Sequence, residues 1–146
     1  MVDVPNPQPG QVIRYEYLWK WEADRGAEDG RKERPCALLL SQQTRDGRIE
    51  VFILPITHSP PEDPSMAIEI PQSTKRRLKL DDERSWIILS ELNRAVWPNQ
   101  DMRVVPGSRP ETVVYGQLPN YLYKLVRERW LELVDKRLVK VVTRTE

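Results

Sequence analysis

Gly30-Arg31-Lys32-Glu33-Arg34-Pro35-Cys36-Ala37-Leu38-Leu39-Leu40-Ser41 decides the fold of this chain. A loop loaded with charge runs without pause into an apolar strand. Pro35 fixes its own φ and pushes Arg34 into an extended conformation. The run Leu38, Leu39, Leu40 reads as buried, so a strand is expected over residues 35–41. Arg34 then stands where a mobile loop enters the core. A guanidinium there is either aimed at an anion such as phosphate or caps the strand end with its head in water.

Upstream, residues 1–10 hold three prolines and a glycine and read as an irregular lead-in. Residues 12–21 then alternate, with Ile13, Tyr15, Tyr17, Trp19 and Trp21 on one face, the period of a half-buried strand. Residues 23–33 are polar and join it to the second strand as a long loop. Downstream, Asp46-Gly47 signals a hairpin turn. A third strand is expected over residues 49–56, ending where Pro60 and Pro61 forbid continuation. Short strands follow at residues 66–70 and 85–89, with Glu91 to Val96 extending or following the latter. Between them lies the basic run Lys75-Arg76-Arg77-Leu78-Lys79, and residues 99–112 read as loop.

Beyond Gly116 the period changes. Leu122, Val126, Trp130 and Leu133 recur at helical spacing, and Pro119 suits a first turn, so one amphipathic helix is expected over residues 119–137. Residues 139–143 read as a short strand or as part of a tail over 139–146. The expected architecture is mainly β in a single domain, residues 1–146, with several short antiparallel strands curled into a sheet or small barrel and the helix packed on it.

Composition limits the function. The chain of 146 residues carries 23 basic and 22 acidic side chains, a net charge of +1, so any anion site must be a local patch. No apolar run reaches the roughly 18 residues that span a bilayer, and no secretory leader is visible. One cysteine cannot form an internal disulfide, and these features together point to the cytoplasm. No cysteine or histidine cluster has zinc spacing and no glycine-rich loop cradles a nucleotide, so neither metal nor cofactor is expected.

Four segments taken in order resemble the MazF/PemK family of toxin endoribonucleases. They are Pro9-Gly10-Gln11-Val12-Ile13 with the Arg34-Pro35 strand, the strand ending Pro55-Ile56-Thr57-His58-Ser59, the later pair from Ala67 to Asn93, and Tyr115-Gly116-Gln117-Leu118-Pro119 entering a helix. The likeness covers most of residues 9–135 and is closest to a longer PemK-like branch. It implies an SH3-like barrel, usually a homodimer. It also implies metal-independent cleavage of single-stranded RNA and inhibition by a small antitoxin. By position, Arg34 matches the family's catalytic arginine and Thr57 its catalytic hydroxyl residue. One departure is Ser90-Glu91, where many members have an acidic residue followed by Gln.

The chemistry asked of such a site is in-line attack by the RNA 2′-hydroxyl, with charge stabilisation at phosphorus and proton transfer. Arg34 can stabilise that charge and Thr57 can donate to a non-bridging oxygen. His58 is the only histidine and a candidate for proton transfer or RNA contact. Trp19 and Trp21 can stack on bases, while Arg31, Lys32, Lys75, Arg76 and Arg77 can bind phosphates. Ser59 and Glu91 complete the candidate RNA contacts. The competing expectation is a non-catalytic SH3-like module that binds RNA or a partner protein.

Overall fold

The computed structural model describes residues 1–30 and 32–144, and Arg31 lies outside the described residues. The strands are β1 (Gln11–Glu16), β2 (Glu33–Gln43), β3 (Ile49–Thr57), β4 (Ala67–Glu69), β5 (Trp86–Ile88), β6 (Glu91–Trp97), β7 (Val114–Gln117) and β8 (Lys140–Thr143). The helices are α1 (Lys20–Asp24), α2 (Gln72–Arg77) and α3 (Asn120–Asp135). The strands form one sheet in the order β4-β5-β3-β2-β1-β7, with β6 joined to β3 and β8 to β6. It is a mainly antiparallel sheet curled into a half-barrel with a C-terminal helix. Strand β3 sits at the curl, because its first half pairs with β6 and its last two residues pair with β5.

The apolar run at residues 36–39 is continuous because β2 is buried on both faces. Ala37 and Leu39 join a cluster with Leu54, Leu92 and the α3 residues Leu122, Val126, Trp130 and Leu133. Cys36 and Leu38 join a second cluster with Ile13, Tyr15, Tyr17 and Val51 on the opposite face. Burial pushes the Cys36 thiol up to about 12, so it stays a protonated, inert packing group. The hairpin between β2 and β3 turns at Gly47, whose φ of +85° is cheap only for glycine.

Several expectations need correction. The first strand stops at Glu16 rather than continuing to residue 21, and residues 20–24 form α1. The cause is Asn93, which no alternation pattern reveals. Its Oδ1 accepts from Leu18 N–H at 2.9 Å and its Nδ2 donates to Leu18 O at 2.7 Å. This clamp turns the chain out of the sheet, and Glu22 Oε1 then accepts from Trp19 N–H at 3.1 Å as the helix begins. The basic run, given no secondary structure above, begins in the last turn of α2, which opens at Gln72 and ends at Arg77. Of the two readings for residues 139–143 the short strand holds, as β8, and its pairing with β6 is parallel where the other named strands pair antiparallel. Helix α3 begins one residue after Pro119 and ends at Asp135, with Arg137 in a left-handed conformation at φ 59°. The lead-in is anchored by Asp3 N–H to Glu111 O at 2.7 Å and by Trp97 Nε1–H to Pro5 O at 3.0 Å.

Gly30 marks the return of the first loop. A Cβ added there would lie 2.2 Å from the Tyr17 carbonyl oxygen, so the two backbones pass too closely for any side chain. Gly30→Ala is expected to lower stability by about 1–3 kcal/mol through overpacking. A denaturant midpoint unchanged from wild type would show that this approach is not constraining.

Candidate functional site

Arg34 is the hub of the site. Strand β2 holds it opposite Tyr15 of β1. The β2–β3 register pairs Cys36, two residues after Arg34, with Pro55, two residues before Thr57. The guanidinium lies over the Trp19 ring, 5.1 Å from its centroid, and Trp19 packs edge-to-face on Tyr17 at 5.1 Å. One Arg34 nitrogen, Nη1, donates to Ile56 O at 3.4 Å. The buried Nε has no hydrogen-bond partner, and no carboxylate among the described residues pairs with the guanidinium.

Two cavities meet at this arginine. The first, about 290 Å³, is walled by Tyr17, Trp19, Trp21, Glu22, Lys32 and Arg34. The second, about 140 Å³, has Lys32, Arg34, Ile56, His58, Asp81 and Ser85 in its wall. A third and larger cavity of about 790 Å³ shares Pro35, Leu80 and Asp81 with the second and presents Arg14, Arg77, Lys79 and Arg109. The three form one interrupted trough, with aromatic rings at one end, Arg34 in the middle and cations at the other.

The expected site residues divide. Arg34, Lys32, Trp19 and Trp21 share one cavity, and His58 joins Arg34 and Lys32 in the next. Trp21 is there although it lies on α1 rather than on the expected strand, with Arg25 over its ring at 5.3 Å. Thr57 is half-buried between two residues that line the second cavity, and its Oγ1 accepts from Ser59 N–H at 3.1 Å, leaving its own proton free to donate. Thr57 is the last residue of β3, and His58 follows it in a bend. Arg77 reaches the third cavity while donating to Gln117 O at 2.7 Å, and Arg76 and Ser59 are exposed.

Two assignments change. Lys75 is 1% exposed, so it does not form part of a phosphate-binding surface. Its ammonium donates to Asp81 Oδ1 at 2.7 Å, to Ser85 Oγ at 2.7 Å and to the Glu83 carbonyl. Glu91 is occupied structurally, accepting from Tyr17 Oη–H and Lys20 N–H at 3.0 Å each. Burial raises its carboxyl above the ordinary value, as expected for an acid that anchors α1.

Sequence reasoning missed Asp81, Arg14 and Arg109. Their only signal was charge, on the first strand for Arg14, beside the basic run for Asp81 and in a loop for Arg109, and charge alone does not say which side chains converge. Two groupings of potential metal ligands occur among the described residues, His58 with Asp81 and Glu83, and Glu16 with Asp29 and Asp101. The second is already neutralised by Arg103 at 2.7 Å from Glu16 and by Arg144 at 3.1 Å from Asp101. No helix among the described residues is long and apolar enough to cross a membrane. Compared with protein-family models, curated proteins and solved structures, the chain matches none.

Proposed function

We propose that the protein is a sequence-selective endoribonuclease that cuts single-stranded RNA by attack of a 2′-hydroxyl on the adjacent phosphate. The observation that carries this reading is Arg34, a guanidinium with a buried unpartnered Nε and no carboxylate partner among the described residues, lining two cavities. A charge held beneath the surface without a counterion is costly unless a ligand anion completes it. A phosphodiester fits, because the adjoining cavities offer rings that stack on bases and cations that follow a backbone. Such a groove is selective for unpaired strands, whose bases are free to stack.

In this reading Arg34 bears the charge that develops on the non-bridging oxygens and Thr57 donates to one of them. The curled sheet and C-terminal helix agree with an SH3-like barrel of the MazF/PemK kind. The resemblance at Arg34, Thr57 and the closing helix extends the proposal to a cytoplasmic toxin, acting as a homodimer and silenced by a small antitoxin. The chemistry requires no metal, since the nucleophile belongs to the substrate.

The test is incubation of the purified protein in EDTA with a transcript containing every pentamer. Discrete cuts with 5′-hydroxyl and cyclic-phosphate ends are expected. A transcript that is bound yet left intact would instead identify a non-catalytic RNA-binding module.

A further inference from the structure

His58 follows Thr57, the last residue of β3, and its ring is held from both sides. Nε2 lies 2.7 Å from Asp81 Oδ2, and Nδ1 lies 3.7 Å from Glu83 Oε2. Asp81 is itself fixed, because its other oxygen, Oδ1, accepts from the buried Lys75 ammonium at 2.7 Å. Lys75 is fully enclosed and also bonded to Ser85 and the Glu83 carbonyl, so it acts as an immobile post for the carboxylate. The chain Lys75–Asp81–His58 ends in the cavity that Arg34 lines.

We infer that His58 is the general base of the proposed RNA cleavage and that Asp81, held by Lys75, is its positioning residue. The inference rests on the endoribonuclease reading above. Burial raises the Asp81 carboxyl, but the hydrogen bonds and charges of Lys75 and His58 outweigh it and hold it below the ordinary value. An ionised Asp81 only accepts, so the ring proton sits on Nε2 and the Nδ1 lone pair is free. In the reaction Nδ1 takes the proton of the 2′-hydroxyl as the O2′–P bond forms. The P–O5′ bond breaks, and the leaving 5′-oxygen takes a proton from water. Asp81 and Glu83 then flank the imidazolium that results.

The other charged groups around this ring are Lys75 from α2, behind Asp81, and Lys32, Glu33 and Arg34, which line the same cavity from the residue before β2 and its first two residues. The same His58, Asp81 and Glu83 could suggest a cation site. The Lys75 ammonium on Asp81 opposes a divalent ion there, which favours the proton relay.

The chain has a single histidine, so its ring nitrogens are observable without assignment ambiguity. Long-range nitrogen–proton NMR of the free protein is expected to show the neutral ring protonated at Nε2. His58→Gln, at a half-exposed side chain, is expected to fold normally and to lower kcat about 100-fold or more. It is also expected to abolish the acid limb of the pH–rate profile, with KM changed only slightly. Asp81→Asn replaces the acceptor that fixes the ring, so the two neutral tautomers are expected to mix. A proton on Nδ1, an acid limb that persists in His58→Gln, or stoichiometric zinc binding lost in His58→Gln would each overturn the relay. If wild type cuts RNA and His58→Gln cuts equally well, the relay alone falls. If wild type cuts no RNA, the endoribonuclease reading falls and the relay with it.

Discussion

Arg34→Ala is expected to abolish RNA cleavage while leaving the fold intact. Removing one preorganised group that meets transition-state charge costs about 10²–10³ in rate. Arg34 supplies a full positive charge and a two-pronged donor, so the loss is expected at or above the upper end of that range. The fold tolerates the change because among the described residues Arg34 forms no ion pair and one long side-chain hydrogen bond, 3.4 Å to Ile56 O. Relieving its unpartnered Nε also removes a cost from the native state. Arg34→Lys keeps the charge but loses the fork and the stacked position over Trp19, so it is expected to recover only part of the activity. The check is single-turnover cleavage beside a thermal melt. Wild-type cleavage by folded Arg34→Ala would remove this residue from the mechanism.

Asp101→Ala is expected to give the largest loss of stability. Arg144 lies at the end of β8 with its side chain 2% exposed and Asp101 at 7%, 3.1 Å apart. The guanidinium also donates to Tyr15 Oη at 2.9 Å, to Glu16 O at 2.8 Å and to Asn93 Oδ1 at 3.1 Å. Deleting one partner of a buried pair costs about 3–5 kcal/mol, and the exposed Asp29, 3.7 Å from the Arg144 guanidinium, compensates the stranded charge only in part. In a chain of this size each kcal/mol moves Tm by about 2–4 °C, so a fall of about 10 °C is expected. The double variant Asp101→Leu with Arg144→Met is expected to recover much of the loss, because neither charge is then stranded. A Tm for Asp101→Ala within a degree of wild type would show that the pair does not hold β8 to the sheet.

The sequence carried the sheet well where periodicity had a single cause. Strands β2 and β3, their Asp46-Gly47 turn and the α3 stripe Leu122, Val126, Trp130, Leu133 all follow from local pattern. Where the expectation broke, a distant side chain had intervened. The alternation of Tyr17, Trp19 and Trp21 is real, but the Asn93 amide takes both Leu18 backbone groups that would have continued the ladder. The parallel seating of β8 depends on Arg144 entering a pocket built by β1, β6 and the loop at Asp101. No local pattern encodes that. The cationic site was legible at Arg34 because Pro35 fixes its backbone. It was misread at Lys75 because α2 turns one member of a basic run inward while Arg76 and Arg77 stay at the surface.

The most direct test of RNA cleavage by its own 2′-hydroxyl uses one short substrate in two forms. The cleavage position is first mapped on all-RNA substrate, and the nucleotide 5′ of it is then replaced by its 2′-deoxy analogue. The deoxy substrate is expected to bind as tightly and to remain uncut at that position in EDTA, while the all-RNA form yields a cyclic phosphate. Cleavage of the deoxy substrate at the same bond would contradict the account, because water or a protein group would then be the nucleophile.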